Sequence, residues 1–152
     1  MTYRFVIAAV LNWLVVGALF GVGVRYLVSK KIMAYHLRIL DVAWTDLPPR
    51  TRILMLTLMK GTGLVAICTA VSLAVLLAIP FRAGEPWSRW AILVVGATAL
   101  VPTLIGAIRV HLETGASSAW WPHVALLAAL GLAFWLTGDF GRAIVGGASL
   151  FR

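Results

Sequence analysis

The chain has 152 residues, of which 62% are hydrophobic and only 12% charged. A soluble domain is usually about 45–50% apolar and about 25% charged, and a chain this short cannot hide so much apolar surface in its own interior, so lipid must solvate part of it. The net charge of +8, from 13 Lys and Arg against five acids, does not indicate nucleic acid. The basic residues flank apolar runs, where they anchor helices at anionic head groups, and no basic aromatic platform or reading helix is present. The partners expected are therefore membrane lipids, anionic head groups among them.

The first apolar run, residues 6–28, is longer than the core of a signal peptide (about 7–15 residues), and no small-residue cleavage site follows it. It predicts a retained transmembrane helix. Residues 29–52 then mix Lys30, Lys31, Arg38, Arg50 and Arg52 with Met, Ile, Leu and Trp, the pattern of an interfacial amphipathic segment. Within it Asp46 precedes Pro48 and Pro49, a plausible helix start. A helix from there to Pro80 would be roughly 50 Å long at 1.5 Å per residue, more than a hydrocarbon core of about 30 Å. The second span is therefore placed at 53–80, with its first turns projecting beyond the lipid or tilted.

The stretch FRAGEPWSR, residues 81–89, is a tight turn that makes the second and third spans antiparallel neighbours. The third span covers 90–110 and the fourth 119–137, followed by a short polar tail, 138–152. Without water in the bilayer core each span must be helical, and the polar–apolar alternation of a barrel is absent. The expected architecture is a single domain over 1–152, an all-α membrane protein. It is a four-transmembrane-helix bundle with a long amphipathic segment between helices one and two.

Four spans put both termini on one side of the membrane and the connections 29–60 and 109–122 on the other. All three histidines, His36, His111 and His123, then share that second face with Trp44, Trp121, Arg109 and Glu113. Basic residues number eight on this face and five on the opposite one, which leans the histidine face toward the cytoplasm.

Small residues that let helix backbones approach are the packing signal in lipid. Gly17 and Gly21 in the first span, and Ala66, Ala70, Ala74 and Ala78 in the second, have the required spacing. They predict intramolecular packing or a homodimer seam. Pro102 in the third span removes a backbone donor, and Thr103 is close enough to help repair the break. Asn12, the amide of the first span, is expected to hydrogen-bond between helices. Cys68 has no cysteine partner, and no CxxC is present for redox chemistry.

The histidine face offers the chemistry. His36, Arg52, Arg109, His111 and Glu113, with Trp44, Trp121 and the Pro102–Thr103 break, could line a cavity mouth that binds a lipophilic small molecule or lipid. The bland alternative is a solvated helix end with an aromatic girdle. His111 and Glu113 lack a third suitably spaced ligand, so no metal and no cofactor is expected. No carboxylate lies mid-span to serve a proton-coupled transporter. The other functional class is a non-catalytic accessory or structural subunit of a larger membrane complex.

Taken together, YHLRILDVAWTDLPPR and IPFRAGEPWSRWAI, with PTL and the loop ending in AWW, resemble a group of small bacterial membrane proteins of DoxX-like four-helix architecture. The resemblance covers about residues 33–137. It implies a bacterial cytoplasmic (inner) membrane location and a four-helix bundle, and it brings no activity. The positions it marks as recurrent are Tyr35, His36, Trp44, Pro48, Arg52, Arg82, Glu85, Trp87, Trp90, Pro102, Thr103 and Trp121. Ala83 departs from it, standing where a second basic residue is expected.

Overall fold

A computed structural model of the chain describes residues 3–115 and 120–138, and the regular structure among them is entirely helical. The order is α1 (Tyr3–Val28), α2 (Ala34–Leu40), a 3₁₀ turn (Trp44–Asp46), α3 (Pro49–Leu76), a π-helical turn (Leu77–Phe81), α4 (Pro86–Thr114) and α5 (Trp120–Leu136).

Proline places the starts of both long inner helices. Pro49 opens α3 and Pro86 opens α4, where a missing N–H costs nothing and the fixed φ already suits a helix. The residue before each is held extended, Pro48 at ψ 144° and Glu85 at ψ 119°, as a following proline ring demands. At the end of α4, Gly115 takes the left-handed conformation (φ 66°) and its N–H donates to the His111 carbonyl at 3.0 Å, a glycine helix stop.

The end of α3 is less regular for a definite reason. Pro80 has no N–H for the i−4 ladder, and the backbone widens into a π turn in which the Arg82 N–H reaches the Leu77 carbonyl, five residues back, at 3.2 Å. Gly84 then turns the chain at φ 79°, and α4 returns antiparallel to α3.

The four longest helices form a closed ring in the order α1, α3, α4, α5, each touching its two neighbours. The most extensive contact is α1 on α3, and it turns on two glycines. A Cβ at Gly23 would lie 2.7 Å from the Gly63 carbonyl oxygen, and one at Gly63 would lie 2.9 Å from that of Gly23. The α4–α5 contact works differently: Leu130 presses into the space over Gly96, where a Cβ would meet it at 2.5 Å. At the far end of the α1–α3 pair, Phe5 and Phe81 stack with centroids 4.9 Å apart. Val15, Leu73, Leu100 and Leu130 fill the centre.

Tyr3–Val28, Pro49–Phe81 and Pro86–Thr114 are long and apolar enough to cross a membrane. Only 28, 22 and 17% of their most apolar windows is buried within the protein, so most of that apolar surface requires lipid or another apolar partner. This is a membrane protein. The apolar α5 has 17 residues, about 25 Å of helix, and does not reach the length of the other three.

The structure adds detail to the expected elements. The helices that carry the second and third expected spans start at Pro49 and Pro86 and are longer than 53–80 and 90–110. Residues 29–52 form an interrupted segment: Asp41, at φ 50°, ends α2 after two turns, and a 3₁₀ turn and the extended Leu47 and Pro48 follow. The tail beyond Gly138 lies outside the described residues. Gly17 and Gly21 face outward with nothing within 4 Å of a built Cβ. The inward stripe of α1 is Ala8, Asn12, Val15, Val16, Leu19 and Gly23 instead. In the alanine row, Ala70 is buried, Ala66 and Ala74 half-buried and Ala78 exposed. Four residues advance a helix by about 400°, so such a row drifts about 40° per step and leaves the interface.

Replacing Gly63 by Ala sets a methyl group against the Gly23 carbonyl and is expected to destabilise the protein by about 1–3 kcal/mol. Gly61→Ala, on the same helix but facing open space, should be neutral or slightly stabilising. Unfolding titrations in bicelles compare the two, and equal losses would show that the crossing is not where the helices are held.

Candidate functional site

Apart from Pro102 and Thr103, which lie within α4, the residues selected from sequence belong to the end of the bundle where α1 and α4 finish and α3 and α5 begin. Ile32, only 3% exposed, pins the connection after α1, and α2 then brings Tyr35 and His36 against Tyr26 of α1. The two tyrosine hydroxyls are hydrogen-bonded to each other. The His36 ring lies 4.1 Å from that of Tyr35 and 6.5 Å from that of Tyr26, centroid to centroid. Burial disfavours charge on both side chains. It raises the Tyr35 hydroxyl well above the usual phenol range, reinforced by the hydrogen bond with Tyr26, and it lowers the His36 imidazole below its ordinary value. The cluster is a neutral aromatic latch between α2 and α1.

The other candidates do not join it. Trp44 is half-buried in the 3₁₀ turn and Arg52 half-buried in the first turn of α3. On α4, Pro102 and Thr103 face outward. Thr103 donates to the Ala99 and Leu100 carbonyls at 3.1 and 2.8 Å, not to the Thr98 carbonyl that Pro102 deprives of its i−4 donor. Arg109 Nε donates to Glu113 Oε1 at 2.7 Å with both side chains largely exposed, an i,i+4 surface pair of small energetic weight. His111 is half-buried, and Trp121 is 65% exposed. Among the described residues no hydrogen bond or ion pair links His36 to Arg109 or Glu113. Nor does any group of three His, Cys, Asp or Glu there have the placement to hold a metal ion.

A second polar cluster occupies the opposite end. Arg89, in the first turn of α4, donates from Nη1 to the Thr137 carbonyl just past α5, at 2.8 Å. Its guanidinium stands 5.0 Å from the ring centre of Phe134 and 5.8 Å from that of Trp90, cation–π range. Thr137 is buried and turns its own hydroxyl to the Ala133 and Phe134 carbonyls at 2.9 and 3.0 Å. Orphan carbonyls at the end of α5 are thus satisfied from two sides. Across from Arg89, Asn12 of α1 is 4% exposed. Its Oδ1 and the Nε of Arg89 are both buried without a hydrogen-bond partner. Both residues line one crevice of about 170 Å³, open mouth included, which as it stands is too narrow to admit water.

Asn12 was expected to bond between helices, and its carbonyl oxygen does not. Arg89 read only as a charge flanking a span. Helical phase could have found it: Arg89, Ile92, Gly96 and Leu100 recur at spacings of three and four, and the last three are buried. No protein-family model, curated protein or solved structure matches the chain.

The His36 shift carries a pH dependence of known sign. Its value in the docked state lies below the ordinary one of about 6.5, so the undocked segment binds more protons and docking strengthens as pH rises through that window. Acidification from pH 7.5 to 5.5 should accelerate hydrogen exchange across residues 34–40, after correction for intrinsic rates. His36→Phe should abolish the change. A segment equally protected at both pH values would refute the latch.

Proposed function

We propose that this is a small multi-pass protein of the bacterial cytoplasmic membrane, DoxX-like in architecture, that serves as a non-catalytic accessory or structural subunit of a larger membrane assembly. In this reading all four long helices cross the bilayer and both termini lie on one side. The short α5 is accommodated by local thinning and by its flanking Trp120, Trp121 and Trp135. Anionic lipids meet the exposed Lys30, Lys31, Arg38 and Arg50.

One observation carries the reading. On α1, Gly17 and Gly21 stand one turn apart on the outer face with open space above them, flanked by exposed Trp13, Leu14 and Phe20. Small residues one turn apart on a lipid-facing helix allow a second helix to approach closely. The partner is a membrane helix of another protein or of a second copy.

Gly17→Leu combined with Gly21→Leu should remove the assembly seen by native mass spectrometry of mild-detergent extracts, while the thermal midpoint of the isolated chain stays the same. A wild-type chain that is monomeric and without a stoichiometric partner in such extracts would sink the proposal.

A second reading, in which a lipophilic molecule binds between the helices, is favoured by the crevice at Asn12 and Arg89. The face of His36 and His111 gives it no comparable support.

A further inference from the structure

We propose that the crevice between α1, α4 and α5 binds the hydroxyl head of a neutral membrane lipid, which donates to Asn12 Oδ1 and accepts from Arg89 Nε. The inference rests on the second reading above and names its ligand class.

Hydrogen-bonding sense selects the group. The two unpartnered atoms are an acceptor on α1 and a donor on α4, both lining one space. A phosphate or carboxylate would meet Arg89 but bring no proton to Asn12. An ammonium group would meet Asn12 and be repelled by the guanidinium. An ester or ketone oxygen only accepts. A hydroxyl does both at one oxygen, and in surroundings without water an unmet polar atom is costly.

Depth and shape point to a lipid rather than to water. The crevice lies where α5 ends at Leu136 and α4 begins at Pro86, among the exposed Trp87, Trp90 and Trp135 that mark a membrane boundary. That is the level at which the hydroxyl of a two-chain glyceride sits. The crevice has an open mouth but is too narrow for water, so its occupant must supply the energy to part the walls. A lipid does so through chain contacts with Leu93 and Phe134, both lining residues. Arg89 is already oriented by its other contacts. Its Nη1 is already held by the Thr137 carbonyl and its face lies against Phe134, which leaves the Nε edge for the ligand.

The test uses the full chain in phosphatidylcholine nanodiscs, whose lipid has no hydroxyl. The probes are a diazirine-labelled 1,2-diacylglycerol and the same molecule acetylated at its free hydroxyl. Photo-capture of the free alcohol is expected to map to α1, α4 or α5 near the crevice, and to weaken about tenfold for the acetylated probe. Asn12→Leu, near in volume and free of unmet polar atoms, should weaken capture of the free alcohol by a similar factor while its thermal midpoint stays at or above that of the wild type. Arg89→Lys, which keeps the charge and removes Nε, should do the same to capture. Equal capture of both probes, lost in Asn12→Leu, would keep a lipophilic site but overturn the hydroxyl assignment. Capture of neither probe would overturn both the assignment and the second reading.

Discussion

Apolar helices in lipid gain little by hiding from solvent, because the solvent is as apolar as they are, so association depends on how closely their backbones can approach. At Gly23 and Gly63 no side chain stands between α1 and α3, and the carbonyl of each glycine occupies the place where the other's Cβ would be. The Phe5–Phe81 stack fixes the same pair at its other end. With α3 held along α1 at two points, the turn through Gly84 determines where α4 returns. Gly96 then accepts Leu130 and allows α5 to close the ring.

Polar groups follow a second constraint, that each must find its partner inside the protein. The hydroxyls on the membrane-facing helices do so locally. Thr57, Thr62, Thr69 and Ser72 on α3, and Thr98 on α4, each donate to the carbonyl four residues back. Such groups sit among apolar neighbours without needing another helix. Arg89 and Thr137 extend the same economy to the end of α5. Against that background Asn12 and Arg89 stand out among the described residues: each has a buried atom without a partner, and both line one crevice.

The helical segments were legible because a span needs a long apolar run, and proline and glycine punctuate the runs plainly. Pro49, Pro80, Pro86 and Gly84 mark their boundaries as expected. What composition could not convey was rotation. Gly17 and Gly21 have the right spacing but lie on the side of α1 away from α3, while Gly23, two residues on, falls in phase with Asn12 and Leu19. In a helix that is apolar all round, the pattern does not say which face is inside. Contact between residues at one end of the bundle is likewise not set by topology. Topology brings His36, His111 and Glu113 to one end, yet sharing an end is a matter of tens of ångströms and chemistry needs three. Arg109 and Glu113 meet because they are one helical turn apart. His36 meets Tyr35 and Tyr26 because α2 folds back on α1.

The π turn at Leu77–Phe81 has a consequence for how this hairpin can change. A π turn holds one residue more than the α-helix it interrupts, so the helix here contains a spare position just before the chain reverses. Deletions within a membrane span ordinarily rotate everything beyond them by about 100° per residue. At this turn, just beyond α3, the loss of one residue can be absorbed by tightening the helix. Pro80 preserves that slack by denying the backbone the bond that would remove it. The α3–α4 hairpin is therefore tolerant of length changes where it turns and intolerant of them at Gly63. Families of such helices would be expected to vary in register on one side of the bilayer and to keep it on the other.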